Sequence, residues 1–374
     1  MSLFKKIFSS KIPENIESQL VIAFNSLELN HIKNKTLTIK NIKDAKFKKN
    51  NFTFKLQIPF PAKSLWLSIE QQLKQSLLQH DEIDSVNIIF ETKIDARMTQ
   101  NNTDGILGVK NIIAVASGKG GVGKSTSCVN IALALQQEGA RVGILDADIY
   151  GPSIPTMLGT HKKPDTLNGK SMEPIEVLGL QLMSIGFLID SSEPMVWRGP
   201  MVTQTLTQLL RETNWKDLDY LLIDLPPGTG DIQLTLSQQI PVTGALIVTT
   251  PQEVALIDAR KGLKMFNKVN IPILGIIENM STHICTQCGH EETIFGKNGG
   301  ETLAEESKTT LLEKMPLIQE IRISMDTGKP IVYADPTHEI SNKYRKIAHK
   351  VSSKMTTQRK NYASSFPKIS IENS

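Results

Sequence analysis

Two short stretches hold side chains fit for chemistry. Residues 116–126 read ASGKGGVGKST, and residues 283–290 read HICTQCGH. In the first, Gly118 to Ser125 fits the phosphate-loop spacing G-x-x-x-x-G-K-S. Gly118, Gly120, Gly121 and Gly123, with Val122 between them, let backbone N–H groups turn toward phosphate oxygens. The helix that follows adds its positive dipole end. Lys124 is placed to reach the β and γ phosphates of ATP, and Ser125 to ligate Mg²⁺. Gly118 through Thr126 is therefore the expected nucleotide-binding stretch. Lys119 is the surplus, a second positive charge on a loop that needs one.

Three aspartates end apolar runs. Asp224 closes DYLLID and opens LPPGTGD, where a carboxylate beside a phosphate loop can hold the Mg²⁺ water shell. Asp146 and Asp148 close ILDAD, near enough to orient a water or sense the metal. One of them can instead cap the next segment. Three carboxylates at the carboxyl edge of one sheet point to catalysis.

The second stretch is a CxxC. Cys285 and Cys288 aim two thiolates at one centre, half of a tetrahedral site or half of a four-iron cluster's ligands. The third cysteine, Cys128, lies just after the phosphate loop and reads as a buried small hydrophobe. A two-fold dimer would supply the missing half, because an isologous interface duplicates whatever lies on its axis. Two other readings stand beside it: His283, Cys285, Cys288 and His290 wrapping one Zn²⁺ within a chain, and a thioredoxin-like redox pair.

Around these stretches the chain divides. At 374 residues it is long for one core. Residues 16–27 have helical spacing, 36–60 alternate as strands with a turn at Lys49–Asn50–Asn51, 65–79 form a second amphipathic helix, and 85–94 a last strand. Residues 1–95 thus read as a small α+β unit and 96–110 as a polar linker. From 111 to 355, the apolar runs NIIAVAS, RVGILDAD, DYLLIDLP, GALIVTT and PILGIIEN alternate with helical patterns. Such runs suit strands buried on both faces of a mostly parallel sheet with helices on either side. Residues 356–374 read as a loose tail.

Composition narrows the function. Hydrophobic content of 40% and charged content of 21% describe a globular protein. A net charge of +4, spread along the chain, gives no ground for a nucleic-acid partner. No apolar run reaches about eighteen residues, and no signal segment opens the chain, so no membrane partner is expected. Three cysteines are no disulfide framework, and the cytoplasm is the natural compartment.

GKGGVGKST resembles the deviant Walker A loop of the MinD/ParA/nitrogenase-iron-protein class of P-loop ATPases. In that class the early lysine contacts the nucleotide of the other subunit in a sandwich dimer. The resemblance implies that Lys119 stabilises transition-state charge across an interface. Taken with LDADIYGPSIPTMLG, PMVWRGPMV, LIDLPPGTGDIQLTL, TTPQEVALIDARKG and IIENMS followed by CTQCG, residues 111 to 354 resemble the Mrp/ApbC family of iron–sulfur cluster carriers. This implies a SIMIBI-class P-loop NTPase fold and a homodimer that hydrolyses ATP. It implies a labile [4Fe-4S] cluster bridged by Cys285 and Cys288 of both subunits and delivered to apo iron–sulfur proteins. It also implies that Asn279 contacts adenine. The first unit resembles a MIP18-like domain in its order of elements, but it is degenerate: it lacks that domain's acidic-proline segment and has no cysteine.

Two rivals share the fold. A spatial regulator of the MinD/ParA type would need a C-terminal amphipathic anchor or a basic surface; residues 340–355, ISNKYRKIAHKVSSKM, are the anchor candidate, and helical packing onto the domain explains their pattern as well. A nitrogenase-type reductase takes its cluster cysteines from two separate places, unlike this contiguous CxxC.

Overall fold

The computed structural model describes residues 14–361 apart from residues 30, 33–35, 100–103, 168, 170, 189–198 and 229. Residues 194–198 of the PMVWRGPMV motif, linker residues 100–103 and tail residues 362–374 lie outside the described set.

The first elements are α1 (Glu14–Asn25), β1 (Ile42–Lys48), β2 (Asn51–Ile58), α2 (Trp66–Leu77) and β3 (Ser85–Thr92). β1 and β2 pair antiparallel and β3 joins β2 in parallel, with α2 as the crossover. The hairpin turn works because Lys49 and Asn50 both take positive φ, 49° and 59°. The strand expected from residue 36 starts later, at Ile42. Thr38 and Asn41 form a capping box around a 3₁₀ turn at Ile39–Asn41, and these local side-chain bonds win the backbone from the sheet. Phe52, Phe54, Leu56, Ile58 and Leu73 fill a core of this unit's own.

The chain then builds β4 (Ile112–Ala116), α3 (Lys124–Gln137), β5 (Val142–Asp146), α4 (Ile154–Met157), the short hairpin β6 (Thr166–Leu167) and β7 (Ser171–Met172), β8 (Ile175–Val177) and β9 (Leu180–Ser184). Next come α5 (Gly199–Glu212), β10 (Tyr220–Asp224), α6 (Asp231–Gln239), β11 (Gly244–Thr249), α7 (Glu253–Lys268) and β12 (Ile273–Glu278). A second short hairpin, β13 (His283–Ile284) and β14 (Glu291–Glu292), precedes α8 (Gly299–Glu306), β15 (Leu311–Lys314), α9 (Gln319–Asp326), α10 (Ile331–Ala334) and α11 (Glu339–Met355).

Eight strands form one sheet in the order β15-β12-β11-β4-β10-β5-β9-β8, parallel except for the edge strand β8. Alternate residues of each strand face opposite ways. Ile113 and Val115 enter a core with α3 and α11, while Ile112, Ala114 and Ala116 enter a second core with α5 and α7. Both faces are covered, which is why these strands read as unbroken apolar runs. The apolar stripe of α11 (Ile340, Tyr344, Ile347, Ala348, Val351) is buried in the first core. That burial takes the membrane-anchor candidate out of contention. Among the described residues no helix is long and apolar enough to cross a membrane.

Candidate functional site

β4 leads into the phosphate loop and α3 leaves it, at the carboxyl edge of the sheet. The chain passes from β4 to β5 across β10, so the loop sits where β10 separates two consecutive strands, the usual place for a ligand in such sheets. The loop's glycines are required. Gly121 and Gly123 hold φ of 81° and 83°, which side chains with a Cβ rarely adopt. Gly118 lies so near the Asp258–Ala259 backbone of α7 that a Cβ would collide with it.

The two lysines live differently. Lys124 is 6% exposed, with its Nζ 2.7 Å from Asp224 Oδ1 and 3.4 Å from Asp148 Oδ2. Burial works against its charge, but the Asp224 and Asp148 carboxylates outweigh it and raise the pKa. Lys119 is exposed, and its ammonium has no partner among the described residues. Ser117 Oγ holds the Lys119 carbonyl at 2.8 Å, so the backbone there is fixed while the side chain projects.

The expected carboxylates converge, with distinct surroundings. Asp224, fully buried, accepts a 2.6 Å hydrogen bond from Ser125 Oγ. Burial pushes its pKa up, against the pull of Lys124. Asp148 keeps a buried oxygen, Oδ1, without a hydrogen-bond partner. Asp146 is placed beside Asp224 by the β5–β10 register. Both of its oxygens are taken: Ser184 Oγ (3.0 Å) and the Ile154 N–H (3.2 Å) donate to Oδ2, and the Asp148 N–H (3.3 Å) to Oδ1. Burial and then the Asp224 charge raise its pKa to about 7. Asp146 thus caps the start of α4 through the Ile154 N–H.

Asn279 stands under the loop, where its Nδ2 donates to the Val122 carbonyl at 2.9 Å. Thr126 is half-buried on the first turn of α3. The hydrogen-bonded oxygens of Ser125 and Asp224 suit a hard divalent cation such as Mg²⁺, and the unpartnered Asp148 Oδ1 beside them suits a water.

The CxxC lies on the β13–β14 hairpin. The Cys285 N–H donates to the His290 carbonyl at 2.9 Å, and the Gly289 N–H to the Cys285 carbonyl at 2.8 Å. The N–H groups of Gln287 and then Cys288, followed by the Cys288 side chain, hold the Cys285 thiol below its usual range. Cys285 is half-buried and Cys288 exposed. A partly exposed thiol with a depressed pKa is a ready metal ligand. Cys128 is buried in α3, where burial and then Asp224 push its thiol well up. Among the described residues no three His, Cys, Asp or Glu side chains gather as a metal-ligand set, so His283 and His290 do not converge with the thiols.

One buried cluster escaped the sequence reading. Glu138, at the end of α3, accepts from Ser64 N–H and Ser64 Oγ, both at 2.9 Å, and meets His349 Nε2 at 2.9 Å and Arg345 Nε at 3.0 Å. His349 Nδ1 lies 2.7 Å from His31 Nε2. These residues tie the small unit to the large one. Separations of 74 to 318 residues leave no local signal for them.

Comparison with known proteins now decides the lineage. Residues 108–352 match the ParA family model for NUBPL-type iron-transfer P-loop NTPases. The chain belongs to this family. The Escherichia coli (strain K12) iron-sulfur cluster carrier protein is 47% identical over 350 residues, covering 93% of this chain and 95% of its own. The mouse iron-sulfur cluster transfer protein NUBPL is 48% identical over 248 residues, covering 66% and 78%. A nucleotide-binding protein from Archaeoglobus fulgidus, solved in complex with ADP, is 38% identical, with a TM-score of 0.53 over 59% of this chain and 88% of that one. This iron-transfer P-loop NTPase thus has the fold, the family and the NTPase class that its motifs imply.

Proposed function

We propose that two copies of this chain carry an iron–sulfur cluster of the [4Fe-4S] type between their Cys285 and Cys288 pairs, hydrolyse ATP, and pass the cluster to apo-proteins in the cytoplasm. The carrying observation is the incomplete ligand set. Two thiols lie together at an accessible hairpin tip, one of them held below its usual pKa, with no third ligand gathered beside them among the described residues. A four-iron cluster needs four ligands, and a two-fold axis supplies them. The mouse and Escherichia coli relatives, named for cluster transfer and carriage, support the same reading.

At the nucleotide site Lys124 exchanges its carboxylate partners for the β and γ phosphates of ATP. Ser125 and Asp224 hold Mg²⁺, which offsets phosphate charge when bound. The unpartnered Asp148 Oδ1 accepts a hydrogen bond from the attacking water. Asp146 acts through Asp148, whose N–H it fixes. Lys119 projects from the loop to the nucleotide of the partner copy, where it meets charge developing in transfer. Asn279 braces the loop at Val122, on the way to the adenine side. The boundaries at 95–96, 110–111 and 355–356 follow as the division into small unit, linker, NTPase unit and tail.

Anaerobic reconstitution followed by iron, sulfide and zinc analysis tests the cargo. About two irons and two sulfides per chain are expected, four of each per dimer. One stable zinc per chain, with no sulfide, would refute the cluster.

A further inference from the structure

A cavity of about 1020 Å³ opens between the small unit and the outer edge of the large sheet. Its walls come from the β1 side of the small unit, the segment 93–97, β15 with the residues before it, and the end of α11. Eight cationic side chains line it, seven lysines and Arg97, against a single carboxylate, Asp95. The whole chain carries only +4, so positive charge is concentrated here.

Carboxylate neighbours offset only part of this charge. Lys360 takes Asp95 at 2.6 Å. Lys43 donates to the Lys40 carbonyl and Lys354 to the Ile273 and Leu274 carbonyls, while Lys350 donates to the Leu312 carbonyl and meets Glu313 Oε2 at 3.7 Å. The ammonium groups of Lys40, Lys93 and Lys308 have no partner among the described residues. Thr309 adds a buried hydroxyl, also without a partner, to the same wall. The local field is felt by titratable groups within it. His31 falls to about 4 through burial, then His349, Lys350 and Lys346. Lys350 is lowered first by burial and further by Lys346 and Lys343, although Glu313 opposes this.

We propose that this cleft binds a small anion bearing two or more phosphate or carboxylate groups. A concave site of this size suits a small ligand. The ammonium groups of Lys40, Lys93 and Lys308, which line one cleft without a partner among the described residues, and the Thr309 hydroxyl beside them match the oxygens of such an anion. The site is separate from the phosphate loop, and because its walls come from both units, occupancy also bridges them.

Calorimetric titration of the full-length protein with pyrophosphate, and separately with citrate, tests this, with saturating ADP present to block the phosphate loop. Saturable binding that weakens with added salt is expected. The Lys93→Glu/Lys308→Glu double variant should bind at least about tenfold more weakly, as the loss of one charge-assisted hydrogen bond implies. Lys93→Gln/Lys308→Gln serves the same purpose if charge reversal prevents folding. ADP affinity should be unchanged in either. Preference for pyrophosphate assigns the cleft to phosphate esters, and preference for citrate to polycarboxylates. No saturable binding of either anion at low salt, or equal binding by the double variant, overturns the proposal.

Discussion

Replacing Glu138 by alanine should cost this protein about 3–5 kcal/mol, the range for removing one partner of a buried ionic cluster. The carboxylate is 2% exposed and has four close donors. Its loss leaves the 1% exposed His349 and the 20% exposed Arg345 without their anion. It also strands the Ser64 N–H. Ser64→Ala removes the hydroxyl bond and keeps the N–H bond, so it should cost about 1.5 kcal/mol, the low end for a hydrogen bond to a charged acceptor. Glu138→Gln keeps the shape and an accepting oxygen but loses the charge, and should fall between the two. Glu138 caps the far end of α3, and a 14-residue helix places it about 20 Å from the phosphate loop. ADP affinity should therefore be unchanged in all three variants. Urea denaturation followed by circular dichroism, with ADP titration beside it, measures both. A cost below about 1 kcal/mol for Glu138→Ala, or one no larger than that of Ser64→Ala, would refute the account of the junction; so would a tenfold loss of ADP affinity.

Lys124→Ala should weaken ATP binding, whereas Lys119→Ala should keep binding and lose hydrolysis; in mixed dimers the affected site should be the one in the other subunit. Cys285→Ala or Cys288→Ala should abolish iron and sulfide binding with ATPase activity intact, while Cys128→Ala should retain the cluster. His31, lowered from 6.5 to about 4, takes up its proton more readily when unfolded. Stability should therefore fall as pH drops from about 6.5 to 4, by roughly 1–2 kcal/mol after allowing for partial exposure, and His31→Gln should flatten that slope in pH-dependent melts. Glu138 is depressed by His349 and Ser64 despite burial, so its contribution persists to lower pH and is lost only as its own carboxylate protonates. The fragment 108–355 should fold and bind ADP, since the phosphate loop, its carboxylates and all buried residues of both large cores except Ile94 and Ile106 lie within it; insoluble or nucleotide-free fragment would show that the two units share one core.

The phosphate loop and the parallel sheet were legible in the sequence because both are short-range patterns. Eight residues from Gly118 to Ser125 specify a strand–loop–helix turn, and strands buried on both faces must be apolar throughout. The CxxC, too, is local: its hairpin brings its own N–H groups to Cys285. The 3₁₀ turn at Ile39–Asn41 has the alternation of a strand in sequence, but capping by Thr38 competes within the same few residues and prevails. Tertiary structure alone separated the aspartates, since the β5–β10 register puts Asp146 against Asp224 while Ser184 and Ile154 occupy one of its oxygens and the Asp148 N–H the other. It alone set Lys124 between two carboxylates and left Lys119 in solvent. The Glu138–His349–His31 junction and the lysine cleft join residues hundreds of positions apart. Periodicity and motif spacing describe neighbours along the chain, whereas these contacts depend on where strand order and helix packing bring distant segments together.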